Sequence, residues 1–300
     1  MDVRRKAACK KAVWISAVGV FALMVSALAL NSVYAINFFN LVTKNLQSAG
    51  WNSTDSSSVM QVNEEMTFEA GYLFFKIGSV KFQVLGNGEY DSVSVYRLRA
   101  YIDSYSGVPF VNFHAVYDTY ADAKTLFCLF NLRTQKDGDI RVNTTTNFQL
   151  DRKKIEWAQS RGDKLIKEID MQMDTSYTNG VSFIYFLRNV CRRANGEEMK
   201  LDVPIIDDTV RSTVSLTINE RREPCDVTAF DFPLDSYRLS GRVNFTGTFG
   251  ISGDVVGWMV ADSSALPLKA NVKVLIGSVV VQLKEVKRDN WTPPRSTSSE

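Results

Sequence analysis

The stretch YRLSGRVNFTGTF, from Tyr237 to Phe249, decides the fold class. Its odd positions read Tyr, Leu, Gly, Val, Phe, Gly, Phe, and its even positions from Arg238 read Arg, Ser, Arg, Asn, Thr, Thr. Successive side chains of a β-strand point to opposite faces, so this period of two gives one apolar and one polar face. The pattern recurs upstream, where Val210, Ser212, Val214, Leu216 and Ile218 alternate with Arg211, Thr213, Ser215, Thr217 and Asn219. Further toward the N-terminus MTFEAGYLF, VSVYRLRAY, FVNFHAVYD, DIRVNTTTNFQL and KIEWAQ read as strands. Arg161-Gly162-Asp163 reads as a hairpin turn before KLIKEIDMQM. Strands broken by Gly, Asn and Asp, without a crossover helix after each, predict a mainly β chain. The expected architecture is one large curved antiparallel sheet or open barrel with one principal helix.

That helix is predicted over Val181–Arg193, where Phe183, Leu187 and Val190 fall on one face at steps of four and three. Arg188, Arg192 and Arg193 crowd its end, where positive charge meets the helix dipole favourably, and Gly196 suits its termination. The functional reading makes these residues a ligand site. Phe183, Leu187 and Val190 face an apolar ligand inside the curved sheet, and Arg188, Arg192 and Arg193 stand at the rim to meet an acidic headgroup. The plain alternative is a helix that seals a packed core while its arginines face water.

A short repeat links the two ends of the strand-rich region. IGSVKFQVL begins at Ile77 and IGSVVVQLK begins at Ile276. Gly78 and Gly277 are read as structural turns or points of close backbone contact, in segments that neighbour each other where the sheet curls. Neither has the longer glycine pattern and following Lys-Ser or Lys-Thr of a phosphate loop.

Met1–Ala35 has the order of a secretory signal: the basic start RRKAACKK, an apolar run from Ala12 to Leu30, and NSVYA ending on the small Ala35. Retention as a membrane anchor is the alternative, since 19 apolar residues can just span a bilayer. Residues 36–64 read as a polar arm, 65–287 as a single β-rich domain, and 288–300, with two prolines and a Ser/Thr-rich end, as a disordered tail. The expected location is outside the cytoplasm, in the periplasm or outer envelope. Export allows disulfides, but Cys128, Cys191 and Cys225 are an odd number and have no zinc or CxxC spacing. Cys191–Cys225 is the candidate bridge, against buried thiols.

Composition excludes more than it assigns. The chain has 35 basic and 33 acidic side chains, and without the first 35 residues 30 basic face 32 acidic. That balance lacks the basic footprint of a nucleic-acid domain. With one histidine, His114, no multi-histidine metal site or histidine pair can form. Asp202, Asp207 and Asp208 lack the calcium-loop pattern and read as turn carboxylates. No serine sits in a G-x-S-x-G elbow. No catalytic, cofactor or metal residue is therefore assigned, and carboxylate-pair chemistry on carbohydrate stays open because its spacing is spatial rather than sequential.

The order of several elements resembles a bacterial exported envelope-protein family catalogued as domain of unknown function 3108. The resemblance is carried by Glu69-Ala70-Gly71-Tyr72 followed by Ile77-Gly78-Ser79-Val80, then Asp118-Thr119-Tyr120 and Asp122–Leu126. It continues through Ser182–Arg188 and Asp207-Asp208, and closes with Trp258, Asp262, Pro267, Leu268 and Ile276–Val279. It covers roughly Glu65 to Val286. The first glycine turn departs from the family, with Ile-Gly-Ser in place of the commoner Ala-Gly-Glu type. The resemblance implies an exported, sheet-rich envelope protein and no reaction. The expected role is therefore binding of a lipid, acyl chain or other apolar small molecule, with peripheral membrane contact. An envelope structural or assembly role through protein contacts is the runner-up.

Overall fold

In the computed structural model the described residues are 59–107, 112–243, 253–273 and 278–297. Eight strands precede the helix: β1 (Glu65–Tyr72), β2 (Phe75–Tyr90), β3 (Val93–Ser104), β4 (His114–Asp122), β5 (Cys128–Asp137), β6 (Ile140–Gln149), β7 (Lys154–Arg161) and β8 (Lys164–Gln172). After α1 (Gly180–Ala194) come β9 (Met199–Asp207), β10 (Val210–Cys225), β11 (Leu234–Val243), β12 (Gly253–Val260), β13 (Pro267–Lys273) and β14 (Ser278–Lys287). All 14 strands lie in one sheet, in the order β8-β7-β6-β5-β4-β3-β2-β1-β14-β13-β12-β11-β10-β9. Every ladder is antiparallel. The fold is thus two meanders joined where the first strand pairs with the last, Phe68 opposite Leu283 and Tyr72 opposite Val279.

The two-residue period of the sequence is visible as burial. In β10, Val214, Leu216 and Ile218 are buried while Ser215 and Thr217 are not. The Arg161–Lys164 hairpin forms as read, with Gly162 at φ 58. Hairpins need that left-handed backbone because its twist matches the twist of the strands.

The two outer strands, β8 and β9, do not pair with each other. A strap between β8 and α1 stands across the gap. The Tyr177 carbonyl accepts from the Cys128 N–H at 2.8 Å, Thr178 N–H donates to the Pro204 carbonyl at 2.9 Å, and Ile206 N–H donates to the Thr178 carbonyl at 2.9 Å. Arg133 on β5 reaches across to Asp208 of the β9–β10 turn at 3.0 Å, and Arg211 on β10 donates to the Gln172 carbonyl at 2.6 Å. The sheet therefore curls until its ends are tied by side chains and a single strap rather than by a ladder.

The helix lies inside this curl. Asn179 caps it, accepting from Val181 N–H at 3.1 Å and Ser182 N–H at 2.8 Å. The same amide donates to Thr119 and Asn131, at 3.0 Å and 2.9 Å, and so fixes the cap to β4 and β5. The helix stops at Asn195, left-handed at φ 44, and Gly196 follows at φ 88 rather than making the stop itself. Val181, Tyr185, Phe186, Leu187, Val190, Cys191 and Ala194 join one cluster with buried residues from both meanders, among them Phe68, Leu98, Val203, Leu216 and Leu283.

Three expectations need correction. Gly78 is not a turn: it lies within β2, between Ala70 of β1 and Ser104 of β3. A Cβ there would stand 2.5 Å from the Asp103 carbonyl oxygen, so the glycine serves close strand approach. The repeat segments are not paired with each other, because β1 runs between β2 and β14; Gly277 lies outside the described residues. The fold also begins before Glu65 and continues past Lys287. Val59, Met60 and Glu64 are buried. In the presumed tail Trp291 donates to Asp262 at 2.8 Å, Arg295 stacks 4.0 Å from the Phe232 ring, and Ser296 N–H donates to the Pro233 carbonyl at 3.0 Å. An aromatic ring and a guanidinium hold this proline-rich segment where its composition predicts none. The segment 1–35, expected to be a signal, and most of the expected arm lie outside the described residues.

Gly78→Val is expected to destabilise the chain by a few kcal/mol, since backbone rather than a flexible side chain must move. Urea unfolding measures it, and a midpoint equal to wild type would refute the close-approach reading.

Candidate functional site

The helix residues chosen from sequence are brought together, but inside the protein. Val190 is fully buried, Leu187 nearly so, and Phe183 packs half-buried against the same cluster. Arg188 is the surprise: it is 0% exposed. Its Nε donates to the Ser264 carbonyl at 3.1 Å, and its two terminal nitrogens donate to the two oxygens of Glu64, Nη2 to Oε2 at 3.0 Å. Arg288 donates to the same carboxylate. Arg188 is thus no rim residue. The expectation assumed that the helix face opposite Phe183 meets water, whereas the β12–β13 loop and the segment entering β1 cover it. Burying either charge alone would cost several kcal/mol, and the forked pairing offsets that cost. Tyr185 lies beside the pair, its ring centre 5.5 Å from the guanidinium carbon, and burial raises its hydroxyl pKa well above the usual value. Arg192 and Arg193 are half-buried in the last turn.

The three cysteines are free and buried, so the Cys191–Cys225 bridge is absent. Burial pushes all three thiols up, Cys225 to about 12. Thiols held neutral in this way are poor nucleophiles and poor metal ligands.

His114 and Asp118 share a strand but not a site. His114 Nδ1 lies 2.8 Å from Asp103 Oδ1 in an exposed pair, whereas Asp118 binds Arg99 at 2.6 Å and 2.7 Å. Asp208 is a part-exposed turn carboxylate as read, and it also pairs with the buried Arg133 at 3.0 Å. Among the described residues no group of three or more His, Cys, Asp and Glu is placed to hold a metal ion.

A broad concavity lies elsewhere among the described residues. An open groove of about 980 Å³ crosses β9 to β14. Strand alternation builds it, because most of its lining comes from the parity opposite to the core: Lys200 and Asp202 on β9, Ser215 and Thr217 on β10, Arg238, Ser240 and Arg242 on β11, Asp254, Val256 and Trp258 on β12, Asn271 and Lys273 on β13, and Ser278 on β14. Met199, Leu201, Leu216, Gly241 and Val255 complete it. Trp258 is held by its Nε1–H to Glu223, and Lys269 Nζ stands 5.9 Å from its ring centre. Arg242 and Lys273 lie 3.9 Å and 4.0 Å from Asp254, too far for tight pairing. Of the four basic groups in the lining, Lys200 pairs with Glu198 at 3.0 Å and Arg238 lies 3.9 Å from Glu223, so Arg242 and Lys273 are the loosely paired cations beside the apolar surface. None of the helix residues lines this groove. Sequence reasoning used Trp258 in the family resemblance, read Asp202 as a turn carboxylate and saw Arg238, Ser240 and Arg242 as one polar strand face, because no local motif marks residues that converge from six strands.

The family model described as Protein of unknown function (DUF3108) matches residues 65–284. The chain belongs to this family. The DUF3108 region contains the helix, Arg188 and nearly all of the sheet. Glu64 and Arg288, the carboxylate that holds Arg188 and that carboxylate's second arginine, stand just outside it. Comparison with curated proteins gives no match. Two solved structures are similar in part. One is a β-barrel-like protein of domain of unknown function DUF1849 from Brucella abortus, with TM-score 0.46 and 9% identity, covering 76% of this chain and 98% of that one. The other is described as an exported protein with a YmcC-like fold from Bacteroides fragilis NCTC 9343, with TM-score 0.33 and 9% identity, covering 76% and 97%. Among the described residues no helix is long and apolar enough to cross a membrane.

Two outcomes follow from the buried groups. Arg188→Met, which leaves Glu64 with Arg288 as its remaining charge partner, is expected to lose about 3–5 kcal/mol in urea unfolding, and adding Glu64→Leu should recover part of it. Equal stability of Arg188→Met and wild type would make the pair incidental. For the thiols, peptide mapping without reductant should show no Cys191–Cys225 link, and the three should react with a thiol reagent only after denaturation. A linked peptide would contradict the structure.

Proposed function

We propose that this chain is a non-enzymatic, exported envelope protein that binds an amphipathic anion, a lipid or acyl chain with an acidic head, in the groove across β9–β14. The observation that carries the proposal is the groove itself: about 980 Å³, with Met199, Leu201, Leu216, Val256 and Trp258 beside Lys200, Arg238, Arg242 and Lys273. Its size lies at the upper end of the usual range for small-molecule sites, roughly 300–1,000 Å³. Apolar surface accepts a chain, and the loosely paired Arg242 and Lys273 accept a carboxylate or phosphate. The helix has a different task in this reading. Phe183, Leu187 and Val190 support the sheet from its other face instead of touching ligand. Export rests on the basic, apolar and small-residue order of Met1–Ala35.

The test is native mass spectrometry of gently purified protein, with extraction of bound lipid, alongside titration with a fluorescent fatty acid. Arg242→Glu with Lys273→Glu, both exposed, should weaken binding roughly tenfold without moving the thermal midpoint. Absence of binding by wild type, or equal binding by the double variant, would set this reading aside in favour of a role through protein contacts.

A further inference from the structure

Among the described residues, five two-residue hairpin turns place a left-handed residue first: Leu73, Asp91, Gly138, Gly162 and Asp208. Four of them use Asp or Gly, which tolerate that backbone or bond locally within it. The β1–β2 turn uses Leu, at φ 54, and puts Phe beside it. Leu73 is 63% exposed, Phe74 84% and Phe75 62%, the highest exposures among the described large apolar side chains. Phe74 and Phe75 stack on each other with ring centres 4.8 Å apart and bury little else. Among the described residues neither the strained Leu nor the two aromatics gain burial beyond their own ring contact, which points to an occupant outside the chain.

We propose that this tip, Leu73-Phe74-Phe75, inserts into the interfacial layer of a lipid bilayer bearing anionic headgroups. Three features select a bilayer over a protein pocket. The tip is a single protruding turn rather than a patch with a polar rim, and such a turn can enter the headgroup region without burying a ladder of unpaired backbone groups. Behind it stand Tyr72 and the exposed Lys76, and farther along β14 the exposed Lys284; the two lysines share the one carboxylate of Glu69, while Asp103 in the same cross-strand row pairs with His114. Apolar tip, tyrosine and lysine in that order match the composition of membrane interfaces. Finally, the expected secretory signal in Met1–Ala35 would route the chain across a membrane, and its alternative, a retained anchor in Ala12–Leu30, would hold the chain beside one. The inference does not require the groove to hold a lipid.

The experiment uses the full chain with vesicles of phosphatidylcholine and phosphatidylglycerol in equal parts. Phe74→Trp reports on the tip, read as the difference in emission from wild type. The new indole should shift to shorter wavelength on adding vesicles and be quenched by lipids brominated high on the acyl chain. Phe74→Ser with Phe75→Ser should weaken vesicle binding at least about tenfold, given the apolar area withdrawn from water. Its thermal midpoint should not change, because both rings face solvent. An indole that stays unshifted and unquenched while the chain binds vesicles through another segment overturns the proposal. Unaltered binding by the double serine variant overturns it equally, and both results leave a protein pocket as the occupant of the tip. Loss of fatty-acid binding by the groove variants would not affect either measurement, so the two proposals fail separately.

Discussion

A charge that cannot reach water organises this molecule. Arg188 sits on a helix enclosed by sheet, and its guanidinium is satisfied only when the Glu64 carboxylate and the Ser264 carbonyl are both in place. Glu64 in turn needs the segment that leads into β1, and Arg288 joins it from the segment that leaves β14. Four stretches distant in sequence therefore meet at one ionic cluster. Hydrophobic contacts around the helix are interchangeable to a degree, whereas an unpaired buried charge is not. The cluster fixes which face of the helix meets which strands, and from that follow the strap, the curl of the sheet and the groove on its opposite parity.

What was legible in the sequence is what is local. Alternation along Val210–Ile218 became β10, Gly162 became a hairpin turn, and Phe183, Leu187 and Val190 became a helix face turned to the core. Arg188 was misread because a helical pattern identifies one apolar face and assigns charges to solvent, and it cannot report that protein covers the second face. For Gly78, read as a turn or a close backbone contact, only the second holds, and the sequence could not choose because a glycine within one strand reflects a neighbour, here the Asp103 carbonyl, that is remote in the chain. The C-terminal residues show the limit of composition. Prolines and serines suggest disorder, but Trp291 and Arg295 supply two anchors that a count of residue types dilutes. The groove had no local trace at all. Its lining is the ordinary polar parity of six strands, and it becomes a site only through their curvature.

Helix and groove divide the work between the two faces of the same strands. Leu216 packs so closely over Gly241 that an added Cβ would lie 2.7 Å from it, and Leu239 over Gly257 at 2.4 Å. These glycines let large side chains fold flat against β11 and β12 on the core side. The same strands then present Arg238, Arg242 and Trp258 on the other side. A ligand on that face would touch a surface backed by dense packing, which limits how far the groove can deform to fit it.

The pairing of β1 with β14 also sets an order in time. Synthesis makes β1 first and β14 last, and the Glu64–Arg288 contact spans 224 positions. A growing chain can assemble the first meander hairpin by hairpin, yet β1 keeps an open edge until the final strand arrives. The sheet therefore cannot join, nor the buried cluster lock, until the stretch carrying β14 and Arg288 has been made.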